Sequence, residues 1–206
     1  MLMQWEKSIK CPCIQIGGSG QPDFNCTLCM GKGWYWFDPQ QIQVLVTGIS
    51  QEFRYENPGE ISTGTANVTT LPQYRIGYYD RFSNFDSQMR HSELIKKGDH
   101  NGKDKTRFQP IEIIYCRDLT REYVPKIDFD YDPNSYEINW LPTGYEPNSG
   151  TRYSVEYYTH PRWIAIQLYP IRDTFVKRKK PTPAFQQMPV RAMVRLEWMV
   201  FGIVDP

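Results

Sequence analysis

Four cysteines lie within nineteen positions near the start of the sequence: Cys11 and Cys13 in CPC, then twelve residues, then Cys26 and Cys29 in CTLC. Thiolates spaced this way can close a tetrahedral four-sulfur shell around a metal ion. Each short pair supplies two ligands from one tight turn, and the loop between them brings the pairs together. Gly17, Gly18 and Gly20 give that loop conformational freedom, and Cys29-Met30-Gly31-Lys32-Gly33 puts glycine where backbone must fold under sulfur. Zn²⁺ is the metal such a set favours, although an iron centre of rubredoxin type uses similar ligands and the leading C-x-C departs from the C-x-x-C of an ordinary zinc ribbon. Four thiolates fill the shell, so the site is expected to be structural, with no position left for water or substrate. Disulfides are disfavoured: MLMQWEKSIK has neither the basic start nor the apolar stretch of a signal peptide, which points to a reducing cytosol.

The remaining chemistry-bearing residues do not assemble into a catalytic set. His91, His100 and His160 are the only histidines and are read as structural or solvent-exposed. Cys116, in the strand-like run IEIIYC, reads as a buried small hydrophobe rather than a nucleophile. Asp128, Asp130 and Asp132 alternate along one stretch and are expected to form a solvated strand face. No G-x-S-x-G, H-E-x-x-H or phosphate-loop pattern occurs, so the chain is not expected to be an enzyme.

The elements that must carry these residues are strands. The chain has 206 residues, with 14 Tyr, 10 Phe and 6 Trp beside 16 Pro and 14 Gly but only 4 Ala and 9 Leu, a balance that favours sheet over helix bundle. Period-two alternation marks Gln41 to Val46, Phe53 and Tyr55 before the turn Asn57-Pro58-Gly59, Tyr74 to Tyr78, Ile111 to Tyr115, Tyr153 to Tyr157, Ile164 to Leu168, and Val190 to Trp198. Ile127 to Trp140 reads as a β-hairpin turning at Asp132-Pro133-Asn134-Ser135. One short helix is expected from Phe85 to Lys97, followed by a mobile loop through Lys105. The spacing therefore predicts a mainly β fold, a β-sandwich or partly open β-barrel, with a zinc-knuckle segment over 1–38 and a β-rich body over 39–206.

A formal net charge of +1 provides no global attraction to nucleic acid or an anionic membrane, and no apolar run approaches the length of a transmembrane helix. One local exception is Lys177-Arg178-Lys179-Lys180, followed by Pro181, Pro183 and Pro189. Residues 176–189 are expected to form an extended arm that could contact phosphates or an acidic neighbour. The loop between the cysteine pairs, IQIGGSGQPDFN, has no Lys or Arg, which argues against the knuckle itself as a nucleic-acid reader.

Three stretches resemble structural proteins of tailed bacteriophages: CPC-x12-CTLCMGKGW; Thr65 to Thr70 followed by Tyr74 to Phe82 ending YYDRF; and SYEINWLPTGYEPNSGTRYSVEYYTHPRWI from Ser135 to Ile164. The resemblance implies a virion component of neck, head-to-tail connector or head-completion type with an N-terminal zinc knuckle. It would be assembled in the bacterial host cytoplasm and packed against copies of itself and portal, connector or tail proteins. A tail or baseplate protein and a zinc-ribbon nucleic-acid-binding protein are the alternatives.

Overall fold

The computed structural model describes residues 1–16, 20–23, 26–48, 64–98, 102–169, 174–176, 184–186 and 188–201. It is mainly β, as the alternation predicts, but it divides into two compact units: 1–84 with 162–206, and 85–161 inserted in sequence between them. The expected body over 39–206 is thus interrupted. The expected knuckle boundary at 38/39 falls inside a strand, because the knuckle is an excursion between two strands of one sheet.

In the first unit β1 (Leu2–Lys10), β2 (Trp34–Gly48), β3 (Thr65–Thr70) and β4 (Arg81–Ser83) precede the insertion. In the inserted unit come β5 (Met89–Lys96), β6 (Asp104–Lys105), β7 (Glu112–Arg117), β8 (Glu122–Tyr123), β9 (Phe129–Asp132), β10 (Glu137–Trp140) and β11 (Arg152–Thr159). After it follow β12 (Arg162–Leu168), β13 (Thr174–Val176), β14 (Ala184–Gln186) and β15 (Arg191–Leu196). Among the described residues there are also two single-turn helices, α1 (Cys13–Ile16) and α2 (Glu197–Val200).

The first unit is a closed antiparallel barrel in the order β1-β2-β3-β15-β12-β4, with β4 pairing back onto β1 through Trp5↔Phe82. It is closed rather than partly open. Inward positions alternate with outward ones: Met3 and Trp5, Ile42 and Val44, Val68, Phe82, Ala192 and Val194 fill the interior. Ala165 and Ala192 leave room for the Trp5 and Phe82 rings in so small a barrel. Asp80 anchors one corner, accepting hydrogen bonds from Trp5 Nε1 at 2.9 Å, the Ser8 amide at 2.9 Å and the Gly77 amide at 2.7 Å.

Tyr74 to Tyr78 is therefore not a strand. Its alternation is accidental: Ile76 is buried, Tyr78 is exposed, and the backbone turns to deliver the Gly77 amide to Asp80. The strand in that region is β3, with no apolar alternation, because Thr70 and Asn67 are also buried. The expected strand at Phe53 and Tyr55 and its turn lie outside the described residues.

The inserted unit contains a four-stranded sheet, β5-β11-β7-β8, and a three-stranded sheet, β6-β10-β9. They meet through aromatic rings, with Trp140 of β10 at 5.0 Å from Tyr123, 5.5 Å from Phe129 and 5.4 Å from Tyr153. The hairpin expected over 127–140 is present as β9 and β10, with Ile138 opposite Tyr131. The helix expected over 85–97 is absent, and β5 runs there instead, fully paired with β11 from Met89↔Thr159 to Lys96↔Arg152. Its inward residues include His91 and Glu93 as well as Ile95, and polar inward residues conceal a period of two.

The loop expected to be mobile through Lys105 ends in structure. Asp104 on β6 is buried, and its carboxylate accepts from the Gly98 amide at 2.6 Å, Trp140 Nε1 at 2.7 Å and Tyr153 Oη at 2.7 Å. Nor are the three alternating acids one solvated face. Asp128 is buried and accepts the Val124 and Tyr145 amides, each at 2.8 Å, which pins two loops together, whereas Asp130 pairs with Lys126 and Asp132 caps the turn at Asn134.

Candidate metal centre

The four cysteines come together at the end of the barrel where β1 and β2 begin and end their pairing. The last rung of that ladder is Lys10↔Trp34, and the next contact is the Cys11 amide donating to Gly33 O at 2.9 Å. The excursion therefore starts and finishes at one point. Cys11 continues from β1, Cys13 opens α1, and Cys26 and Cys29 sit on a turn closed by the Met30 amide to Cys26 O at 2.8 Å and the Lys32 amide to Cys29 O at 3.0 Å. Met30, Gly31 and Gly33 adopt positive φ (50°, 76° and 76°), the left-handed bend that brings backbone N–H groups under sulfur. At Gly33 a Cβ would also approach Ile14 Cδ1 to 3.2 Å.

All four Sγ atoms lie within 4.8 Å of one another, with Cys11 to Cys26 at 3.6 Å and Cys13 to Cys29 at 3.5 Å. A metal–sulfur bond of about 2.3 Å puts tetrahedral sulfurs about 3.8 Å apart, so the cluster has the dimensions of a four-thiolate shell. Burial pushes the Cys29 thiol up to about 12 and raises Cys11 as well. The Cys29 and Leu28 amides, hydrogen-bonded to the Cys26 sulfur, draw that thiol down to about 7. Cys11 and Cys29 are buried and disfavour the thiolate on their own, so a cation is what would hold all four sulfurs as thiolates together, the chemistry of a metal centre.

An ion pair with no sequence signal ties the knuckle to the end of the barrel strand β15 and α2. Lys32, three residues after Cys29, donates to Glu197 Oε1 at 2.6 Å, and both side chains are shielded from solvent. Burial alone would raise the Glu197 carboxyl, but Lys32, Arg81 and Arg162 hold it down to about 2. Arg81 grips Glu6 with two hydrogen bonds, at 2.7 and 3.0 Å, and lies 4.5 Å over the Trp36 ring. Trp36 in turn donates to Tyr79 O at 2.9 Å and meets Phe201 edge-on at 5.8 Å. A lone glutamate near the end of an apolar strand carries no sequence signal for this role.

Among the described residues the four cysteines are the one group of three or more potential metal ligands brought together, and the other candidates have surroundings of their own. Cys116 is fully buried, with its thiol pushed up by burial. His160 Nδ1 lies 3.0 Å from Ser87 O, and His91 packs edge-on against Phe108 and Tyr157. His100 and Lys177 to Lys180 lie outside the described residues. Among the described residues no helix is long and apolar enough to cross a membrane.

The fold and site define a closed β-barrel protein with a four-cysteine knuckle between its first two strands. Neither the models of known protein families nor the sequences of curated proteins match this chain.

Proposed function

We propose that this chain is a structural component of a tailed phage particle, assembling as a ring at the head-to-tail neck through contacts with copies of itself and with portal, connector or tail proteins. Cys11, Cys13, Cys26 and Cys29 hold one Zn²⁺ that shapes the knuckle and takes no part in catalysis. A full thiolate shell gives substrate no open position, which supports a scaffolding role over an enzymatic one.

The observation that carries the assembly reading is the arm. Residues 174–176 and 184–186 pair antiparallel, Phe175 opposite Phe185, as a two-stranded sheet separate from the barrel. A lone two-stranded sheet is marginal in water, and on this reading contact with a neighbouring subunit completes it. Most of the expected arm, including the cationic run 177–180 in the sequence between these two paired segments, lies outside the described residues.

Deleting residues 174–186 tests this reading. The shortened chain should fold, keep its zinc, and fail to enter particles, as read by mass spectrometry of purified virions and by negative-stain imaging of particles labelled on this chain. Normal incorporation of the deletion variant would defeat the arm's role, and absence of the intact chain from virions would defeat the assignment itself.

A further inference from the structure

Each accessible sulfur of the knuckle stands against a buried one. Cys13 and Cys26 are half-buried, whereas Cys11 and Cys29 are buried. Cys26 Sγ lies 3.6 Å from Cys11 Sγ, and Cys13 Sγ lies 3.5 Å from Cys29 Sγ. Both contacts cross the excursion, joining the segment that leaves β1 to the turn that leads into β2. A disulfide bond is about 2.05 Å long, so each pair needs to close by about 1.5 Å, within reach of side-chain rotation.

The other pairings are poorer. Pro12 lies between Cys11 and Cys13 and fixes φ at the centre of the small ring that a bond between them would close. A Cys26–Cys29 bond would leave those two as the remaining pair. Joining Cys11 to Cys29 would unite two buried sulfurs, neither of them open to an oxidant. The fifth cysteine is set apart, since Cys116 is fully buried in β7 of the inserted unit.

We propose that the knuckle is a redox switch, which a peroxide converts from a metal-held form to a form held by Cys11–Cys26 and Cys13–Cys29 disulfides. In each pair the accessible thiolate, Cys26 or Cys13, attacks a peroxide oxygen. The O–O bond breaks, hydroxide leaves, and the sulfur becomes a sulfenic acid. The buried thiolate, Cys11 or Cys29, then attacks that sulfur, the S–O bond breaks, and a second hydroxide leaves. Each pair is oxidised by two electrons and reduces one peroxide, so two peroxides convert all four thiolates. No anionic ligand then remains for the metal, which is released. Because both bonds cross the excursion, they keep it closed in the metal's place and leave Lys32 beside Glu197. The switch rests on the reading of the four cysteines as a zinc centre. For a particle assembled in a reducing cytosol and released into oxidising surroundings, the second form is the one that persists without metal.

The test uses the full-length, zinc-loaded protein and about two equivalents of hydrogen peroxide. Released zinc is read with a chromophoric chelator, and linkages are assigned by partial reduction, stepwise alkylation and tandem mass spectrometry. One zinc per chain should be lost, with Cys11 linked to Cys26, Cys13 linked to Cys29, and Cys116 still a free thiol. Dithiothreitol with added zinc should reverse the change. A chelator should speed amide exchange over residues 26–33 in the reduced chain and leave it unchanged in the oxidised one. Bonds within one turn, a Cys11–Cys29 link, links between chains, sulfinic acid without links, or zinc retained after oxidation would each overturn the proposal. Metal analysis before treatment decides the zinc reading on its own, and presence of the chain in virions decides the particle assignment separately.

Discussion

Lys32 Nζ lies 2.6 Å from Glu197 Oε1 across 165 positions of sequence, joining the cysteine knuckle to α2 inside the barrel unit. Removing one member of a shielded pair leaves the other charge uncompensated, which costs about 3–5 kcal/mol. Lys32→Met should lower the denaturation midpoint accordingly, and adding Glu197→Gln should restore part of the loss. The acid dependence has a definite sign. The Glu197 carboxyl is held at about 2 against 4.5 in the ordinary case, so its contribution is complete above about pH 4.5 and disappears as pH falls toward 2. Glu197→Gln should abolish that part of the acid transition.

Metal content is expected to be one zinc per chain in protein purified without added metal. Cys26→Ser or chelation should increase amide exchange over the knuckle and, through Lys32, over residues 195–201, with little change in β5 to β11, whose pairings all lie within 85–161. Stoichiometric iron, visible by its colour, would exclude zinc as the resident metal.

Gly144→Ala is expected to destabilise the inserted unit by about 3 kcal/mol, since the added methyl meets backbone atoms of Ile127 and Asp128 that cannot rotate away. The check is a lowered urea midpoint together with faster exchange over 124–128, while Gly102→Ala, where space is open but φ is 82°, should cost less.

His91 provides a pH prediction of its own. Burial first, and the nearby Arg107 charge second, hold its imidazole down to about 4 against 6.5 in the ordinary case. The folded ring is neutral, so stability is complete above about pH 6.5 and falls as the pH drops from there toward 4, where the unfolded chain takes up the proton first. His91→Phe keeps the edge-on contacts to Phe108 and Tyr157 and should flatten the difference between urea midpoints at pH 7 and pH 5.

What could be read from the sequence follows the range of each interaction. The cysteine cluster was legible because its ligand spacing is local, and the β9–β10 hairpin because its strands flank one turn. The false helix at 85–97 arose because β5 points His91 and Glu93 inward, and Glu93 is satisfied only by Tyr157 Oη at 2.7 Å and the Arg107 amide at 2.9 Å, partners supplied by the fold. Asp104 and Glu197 were illegible for a similar reason: each is a single acid whose side-chain hydrogen-bond partners, Trp140 and Tyr153 for Asp104 and Lys32 for Glu197, are distant in sequence. The insertion had no signal at all, since Asn84 and Phe85 are neighbours in an ordinary polar stretch and Pro161 resembles any other turn.

Barrel closure also sets an order of events during synthesis. β1 to β4 leave the ribosome first, but β3 and β4 are joined only through β15 and β12, more than eighty residues after Ser83 in the case of β15. Until residue 196 has been made, the strands available to pair are β4-β1-β2-β3, joined by β12 at the β4 edge once residue 168 is made, and the sheet still has two open edges. A chain truncated before β15 is thus no smaller barrel; it is a sheet with pairing groups exposed on both sides, disposed to aggregate, and the last strands made are the ones that render the first ones safe.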